Sequence, residues 1–420
     1  MELRLAIDPA SLKRFRSHPV LKSLTFERPR NRVETGVTGD GRPCRLVRSS
    51  YRLGGAAWQA EMTIVHGGPA DGPEICHADI RPLEGPAEPL CTLLQAMAET
   101  AAFALVPPER DPLAAGARPP SVKSPPAALH REMSAGDAFA AIAAASTAHL
   151  IANHECLRQA GAPEAIHQMR VALRRLRSAM SMFKEMLEGP ETEALRGELR
   201  WLQQVLGSAR DWDVLLADTV APLRETLGGL AGYERLCALI AERRQDARTL
   251  ALTELAAPRL PKLMLRLSFW GDMAGRGGPG AERPVAELAR AILDKRHRRV
   301  RREMNRFNEL SVEGRHQCRI DIKKLRYAAD FFSGLYPVKR GHRLLPLLAS
   351  LQDRLGALND IAVARDKLEA LVLQDGSAEL AWAAGQLIGW HAGRSGRLLE
   401  QVQDDWAAVE KIPAFWRESI

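Results

Sequence analysis

A basic segment of eleven residues occurs twice in this chain. HQMRVALRRLR begins at His167 and HQCRIDIKKLR begins at His316, so the two copies are 149 residues apart (316 − 167 = 149). The same offset aligns LQQVLGSARDWDV, which begins at Leu202, with LQDRLGALNDIAV, which begins at Leu351. Two matched segments in the same order and at the same spacing indicate an internal duplication. We therefore expect two similar halves that share one site.

Both copies place their basic residues on one face of a helix. On a helical wheel that advances about 100° per residue, three arginines fall within about 80° of His167, and Arg175 lies at the opposite margin of the same face. Apolar residues such as Leu173 and Leu325 fall on the other side. The candidate binding residues are His167, Arg170, Arg174, Arg175 and Arg177 in the first copy and His316, Arg319, Lys323, Lys324, Arg326 and Tyr327 in the second.

Cations that share a helix face repel each other by roughly 0.2–0.5 kcal/mol per i,i+4 pair. An anion relieves this repulsion, and the planar guanidinium of arginine suits phosphate because it donates two parallel hydrogen bonds. For a single copy, a solvated basic face would be the favoured reading. The duplication in register favours a site for a long or multiply charged anion. A structural role for His167 and His316 remains an alternative.

A third basic helix is predicted near the start of the second half. Residues 290–343 contain 16 Lys and Arg against 6 Asp and Glu, whereas the net charge of the whole chain is +8. Arg298 and Arg302 lie on the basic side of this helix and join the candidate set. The corresponding stretch of the first half is not basic, so the predicted surface is asymmetric. A solvated face explains this helix as well as ligand contact does.

Other site classes have little support in the sequence. The six cysteines are far apart and form no CxxC pair, which argues against zinc and disulfides. The glycine-rich run near Gly277 lacks the GK(S/T) of a phosphate-binding loop. MELRLAIDPASLKRF does not resemble a signal peptide, and no run of about 18 apolar residues is evident. We predict a cytoplasmic protein with no cofactor and no membrane partner.

The chain divides by composition into three parts. Residues 1–107 read as a small α+β domain, and residues 108–130 form a proline-rich linker. Residues 131–412 are predicted to be helical, with repeat halves at about 134–270 and 285–410. The run GDMAGRGGPGAERP separates the halves and is interpreted as a hinge.

Three local predictions follow from turn and capping residues. MELRLAI is expected to be an edge strand, and a helix from Pro89 to Leu105 is expected to close the N-terminal domain. Gly207 and Gly356 are expected just past a helix end, where glycine adopts the left-handed conformation at little cost. The acids that follow, Asp211 and Asp360, and also Asp213, are then expected to cap the next helix.

The HxxRVxxRRLR and HxxRxxxKKLRY signatures, each followed by LQxxLGxxxD, resemble the CHAD family, the conserved-histidine α-helical domain. The resemblance covers roughly Ser134 to Asp405. It implies a mainly α fold, with two pseudo-symmetric four-helix bundles around a basic groove, here preceded by the small α+β domain. It also implies that the His, Arg and Lys residues of both signatures bind inorganic polyphosphate, and that the protein associates with polyphosphate granules.

The N-terminal segment is similar to a degenerate CYTH-type triphosphate-tunnel domain, which often precedes a CHAD domain. That domain begins with a Glu-x-Glu-x-Lys strand; here Glu2 and Arg4 fill the last two places and the first Glu is missing. His77 occupies one place of a second expected acidic pair. The resemblance implies a metal-dependent inorganic triphosphatase as the alternative function, but the incomplete carboxylate set argues against catalysis. An unrelated α+β domain remains open.

Nucleic-acid binding is the third candidate function. Single-strand binders interleave aromatic residues with cations so that bases stack on them. Only Tyr327 lies on the basic faces, and no helix-turn-helix or zinc-finger pattern is present. The sequence therefore ranks nucleic acid below polyphosphate.

Overall fold

A computed structural model describes residues 2–38, 41–55, 57–72, 74–109, 118–336 and 338–417. The N-terminal part is an antiparallel sheet in the order β2-β3-β4-β5-β1-β6. Its strands are β1 (Leu3–Ile7), β2 (Arg30–Val37), β3 (Pro43–Gly54), β4 (Gln59–Pro69), β5 (Ile75–Glu84) and β6 (Phe103–Val106). Its helices are α1 (Leu12–Arg16), α2 (Pro19–Leu24) and α3 (Glu88–Ala98). Leu5 on the sheet and Phe15 and Leu94 on the helices belong to one buried core.

Two predictions for this part are wrong at one edge of the sheet. β1 pairs with both β5 and β6, so MELRLAI is not an edge strand. The helix expected to reach Leu105 ends at Ala98, and Phe103–Val106 forms the edge strand instead. Periodicity cannot separate a short apolar strand from the end of a buried helix, because every residue of such a strand is buried.

From Ala135 onwards the described residues are mainly helical, and the helices are duplicated. Its helices are α4 (Ala135–Ala160), α5 (Pro163–Met182), α6 (Pro190–Val214), α7 (Arg224–Leu227), α8 (Tyr233–Ala256), α9 (Arg259–Gly277), α10 (Val285–Met304), α11 (Val312–Phe332), α12 (Val338–Asp375) and α13 (Ala378–Glu410). Adding 149 to the bounds of α5 gives 312–331, which matches α11. In the same way α4, α6 and α8 correspond to α10, α12 and α13. The predicted fold class, two pseudo-symmetric helical bundles after a small α+β part, is observed.

The two glycine-acid joints are not helix ends. α6 continues through Gly207 and Asp211, and α12 continues through Gly356 and Asp360. At Gly207 the structure offers a different reason for glycine, because a Cβ there would lie 3.0 Å from Nη1 of Arg170. The glycine makes room for a side chain from the neighbouring helix.

The predicted hinge is also partly helical. α9 extends through Gly277, so the first part of GDMAGRGGPGAERP is helix. Gly275 packs against Gly136 of α4 so closely that a Cβ on either residue would overlap the other's carbonyl. Glycine here permits helix–helix contact, and the sequence alone does not separate that use from chain reversal.

α4 is the central helix of the first repeat. It packs against α5 and α9, and β6 of the N-terminal sheet also contacts α4 and α9. Contrary to the sequence prediction, α4 is long and apolar enough to cross a membrane by length and composition, the single such helix of the described residues. Of its most apolar window, 61% is buried inside the protein, as in a core helix.

Part of the predicted linker is fixed to α4. Residues 118–130 have neither helix nor strand, while residues 110–117 lie outside the described residues. His149 Nε2 and Asn153 Nδ2 donate to the carbonyl of Val122 at 2.9 and 3.0 Å. The amide of Val122 donates in turn to Asn153 Oδ1 at 3.1 Å. The domain boundaries themselves remain a prediction.

Candidate anion-binding site

Four cations from the two signatures come together between α5 and α11. We call Arg170, Arg174, Arg319 and Lys323 the central cluster. Arg170 corresponds to Arg319 and Arg174 to Lys323 under the 149-residue offset, so the cluster is quasi-symmetric. The two helices contact each other directly, and Nε of Arg174 donates across the junction to Oη of Tyr327 at 3.1 Å. Tyr327 is buried, so it orients Arg174 from behind the cluster.

The cluster is electrostatically strained. Burial lowers the pKa of Lys323 to about 7, and Arg319, Arg174 and Arg170 lower it further while Asp360 opposes them. Burial also lowers the pKa of Arg170 and of Arg319. These shifts require the four groups to lie within electrostatic reach of each other, because each cation disfavours the charge of its neighbours.

Two guanidinium nitrogens of the cluster are buried without a hydrogen-bond partner among the described residues, Nη1 of Arg170 and Nε of Arg319. A buried donor that is left unpaired costs about 1–3 kcal/mol, and more when the group is charged. An anion bound at the cluster would relieve the repulsion among its cations. The cluster therefore has the chemistry of an anion-binding site.

Two acids lie beside the cluster. Oδ1 of Asp211 on α6 is 3.7 Å from Nη2 of Arg170. Asp360 on α12 interacts with Arg319 and Lys323. The residue as a whole is exposed, but partial burial of its carboxyl group raises the pKa of Asp360. The negative charge of Asp211 raises this pKa further. Neither acid caps a helix, because both stand inside one. They offset part of the cationic charge.

Asp213, the third predicted cap, also lies inside α6. It accepts from Nε of Arg244 at 2.6 Å and joins α6 to α8 away from the cluster.

The two signature histidines occupy equivalent places at the rim of the cluster. Nδ1 of His316 donates to Oδ1 of Asn359 at 3.0 Å, which leaves Nε2 for another partner. His167 is half-buried, and its pKa is lowered by burial and then by Arg210, the residue equivalent to Asn359. His316 is thus held by the residue that precedes Asp360, whereas the equivalent Arg210 disfavours a positive charge on His167.

The last arginine of each signature has a glutamine partner that we did not predict. Arg177 donates to Oε1 of Gln203, and Nε of Arg326 donates to Oε1 of Gln352 at 2.8 Å. The two glutamines are themselves 149 residues apart, so the repeat carried a signal for them. These matched contacts hold Arg177 and Arg326 at equivalent positions of the two repeats.

Two signature cations are set apart from the cluster. Arg175 is buried, donates to Asp330 of α11 and lies 4.6 Å over the ring of Phe331. Lys324 donates to Oδ1 of Asp321 at 3.0 Å. Each stands five residues after Arg170 or Arg319, which is about 140° around the helix. Both side chains therefore point away from the central cluster and do not belong to the site. Arg175 instead joins α5 to α11 through Asp330.

The basic helix α10 lies behind α11. Nη2 of Arg299 is 2.9 Å from Oδ2 of Asp321, and Asp321 is about 200° around the helix from Arg319. Arg298 is exposed beside Asp294, which accepts from the C-terminal Arg417, and Arg302 is exposed one turn further on. The structure does not bring Arg298 and Arg302 to the cluster, because α10 packs on the opposite face of α11.

Two acids of the N-terminal sheet are paired with arginines. Nε of Arg4 lies 2.5 Å from Oδ1 of Asp79, and Nη2 of Arg81 lies 3.0 Å from Oε2 of Glu61. The Arg4 and His77 side chains help hold the pKa of Asp79 at about 2 although burial opposes them. No group of three or more His, Cys, Asp or Glu suited to a metal occurs among the described residues.

The family model of the CHAD domain matches residues 141–369, which is more than half of the chain and includes both signatures. The chain belongs to the CHAD family. The predicted resemblance is confirmed for the helical part, whereas nothing in these comparisons shows a CYTH-type relationship for the sheet.

Solved structures agree with this assignment. The CHAD domain from the plant Ricinus communis is 31% identical, with a TM-score of 0.63, and the match covers 70% of this chain and 98% of that one. PptA from Streptomyces chartreusis has a TM-score of 0.51 at 18% identity over 65% of this chain and 99% of its own, which shows a shared fold alone.

The curated relatives that match this chain have no assigned activity. Uncharacterized proteins from two strains of Mycobacterium tuberculosis are 28% identical over 269 residues, which is 60% of this chain and 49% of theirs. The chain thus spans about half the length of the curated relatives it matches.

Proposed function

We propose that this chain binds inorganic polyphosphate along the central cluster, with His167, His316, Arg177 and Arg326 continuing the site to its two rims. The observation that carries the proposal is the convergence of cations from both repeats, two of which have buried N–H groups without a partner among the described residues. Family membership supports the same ligand. Targeting to polyphosphate granules in the cytoplasm would follow from it.

The symmetry of the site favours a uniform polymer. Equivalent residues lie on either side of the α5–α11 junction, with the Arg177–Gln203 pair in one repeat and the Arg326–Gln352 pair in the other. Inorganic polyphosphate presents the same charged unit at each step and reads alike in both directions. Such a chain can satisfy both halves of a quasi-symmetric site at once.

Nucleic acid fits the site less well. Base stacking needs an accessible aromatic face. Tyr327 is 4% exposed, its hydroxyl accepts from Arg174, and the Arg326 guanidinium lies 5.0 Å over its ring. The aromatic residue of the basic face is thus occupied by protein contacts.

We expect tight, salt-sensitive binding of long-chain polyphosphate in a titration at two salt concentrations. Release of counterions from about four phosphate contacts would give a slope of log affinity against log salt of about −3. Duplex DNA should compete poorly and tripolyphosphate weakly. Binding that is insensitive to salt, or DNA that displaces polyphosphate at equal charge concentration, would contradict the proposal.

We expect no release of phosphate when the chain is incubated with tripolyphosphate and Mg²⁺ or Mn²⁺. Divalent metals need free carboxylates, and Asp79 and Glu61 are engaged by Arg4 and Arg81. A colorimetric phosphate assay with a blank lacking protein measures this. Metal-dependent release that is lost in Glu2→Ala would instead establish the triphosphatase alternative.

A further inference from the structure

A cavity of about 390 Å³ lies in the second repeat between α11, α12 and α13. Its volume falls within the range of small-molecule pockets. Aliphatic side chains form most of its wall, chiefly Leu355, Leu358, Ile361, Leu368, Leu387 and Ile388. His391 at its base is fixed, because its Nε2 donates to the carbonyl of Thr219 at 2.9 Å. The cavity is therefore apolar, with a defined floor.

Comparison of the repeats explains why the cavity exists. In the first repeat, Asp213 of α6 accepts from Arg244 of α8 at 2.6 Å, and this ion pair spans the two helices. The residue equivalent to Asp213 is Ala362, which is too short to reach α13. α13 contributes the small residues Ala392 and Ser395 to the wall opposite. At this level the second repeat therefore has a space where the first repeat has an ion pair.

One end of the cavity is cationic. Arg315, His316 and Arg319 line it, and Nε of both arginines is buried without a hydrogen-bond partner in the described part of the chain. Arg315 stands where the first repeat has the buried Ile166. The two repeats therefore differ at this position, where the second has a guanidinium and the first an aliphatic side chain. This guanidinium is the second donor, beside that of Arg319, without a described hydrogen-bond partner at this end of the cavity. An anion there would accept from both arginines.

We propose that this cavity binds a single-chain anionic amphiphile, an alkyl phosphate monoester in the simplest case. The alkyl chain packs against the leucines of α12 and α13, and the phosphate accepts from Arg315 and Arg319. Arg319 also belongs to the central cluster, so polyphosphate and the amphiphile compete for it. Binding of the amphiphile to the cavity does not depend on the proposed function. The competition with polyphosphate for Arg319 rests on it.

Calorimetric titration of the full chain with decyl phosphate below its micelle concentration tests the proposal. Decyl phosphate should bind at least about tenfold more tightly than either inorganic phosphate or the neutral decyl glucoside, since each lacks one half of the recognition. Ala392→Phe should fill the cavity and abolish this binding. Ala381→Phe, at an exposed position of the same helix outside the cavity, is the matched control and should bind like wild type.

Arg315→Leu gives an independent readout if Ala392→Phe is unstable. It restores an aliphatic residue as in the first repeat, and it should remove the preference for decyl phosphate over decyl glucoside. The proposal is overturned if wild type does not bind decyl phosphate, if Ala392→Phe binds it unchanged, or if decyl glucoside binds equally well. Decyl phosphate binding without any polyphosphate binding would uphold the cavity and refute the proposed function.

Discussion

Replacing Arg174 and Lys323 together with glutamate should abolish polyphosphate binding. The double variant turns a cluster of four cations beside two acids into two cations beside four acids. It also breaks the Arg174–Tyr327 hydrogen bond that orients the first repeat's side of the site. Each charged contact contributes about 1.5–3 kcal/mol, so loss of two with added repulsion should weaken binding by more than about a thousandfold. Calorimetry with long-chain polyphosphate at about 0.15 M salt, where the Debye length is about 8 Å, measures this loss.

A matched control separates the site from overall charge. Arg298→Glu with Arg302→Glu changes the net charge by the same amount, at exposed positions of α10, on the far side of α11. We expect a change of less than about threefold, in line with screening over more than a Debye length. An equal loss in both double variants would show that polyphosphate responds to total charge rather than to the central cluster. Circular dichroism checks that each variant is folded.

The internal repeat is what made the centre of the site predictable. Because the offset of 149 residues holds from His167 to Asp211, it fixed which residues are equivalent, and equivalent residues of two packed halves meet near their shared axis. Arg170, Arg174, Arg319 and Lys323 were all among the predicted residues. The glutamine partners Gln203 and Gln352 stood in the aligned segments as well, but their role depends on which helix lies beside each arginine.

Tertiary packing determines which cations of the basic faces reach the site, and a helical wheel does not show this. A helical wheel gives directions about one axis, and it does not state what lies in each direction. Arg175 and Lys324 were at the margin of the basic face, and acids on α11 engaged them. α10 is as basic as α11, but α10 packs on the face of α11 that is turned away from the central cluster.

The role of each glycine likewise depends on the residues that pack against it. Gly207 accommodates the Arg170 guanidinium and Gly275 accommodates the backbone of α4, whereas the sequence suggested turns at both. From sequence alone, a glycine that allows close packing of a neighbouring residue cannot be distinguished from a glycine in a turn.

The affinity for polyphosphate should fall as pH rises through neutrality. In the free protein the pKa of Lys323 is about 7, far below the usual 10.5 of lysine. A bound polyanion favours the ammonium form and raises this pKa towards its usual value. Between the two pKa values, binding must therefore take up one proton, and the association constant should fall by up to about tenfold per pH unit. Below the free pKa, Lys323 is already charged and this dependence disappears.

Other groups that face Lys323 titrate elsewhere or not at all. Arg170 and Arg319 stay charged, and His167 has a pKa lowered by burial, so it adds binding only in acid. The pKa of Asp360 is raised from a starting value of 3.8, and its protonation would strengthen binding in acid too. The fall above about pH 7 is therefore assigned to Lys323.

Lys323→Arg is the decisive comparison, because it keeps the positive charge and removes the titration. Wild type should lose affinity between about pH 7 and pH 9, whereas the variant should hold a nearly constant affinity. Calorimetry in buffers of different ionisation enthalpy should detect uptake of about one proton by wild type at pH 8 and almost none by the variant. A flat profile in wild type, or the same slope in both proteins, would mean that Lys323 does not meet the polyanion, and the quasi-symmetric site would then have to be centred away from α11.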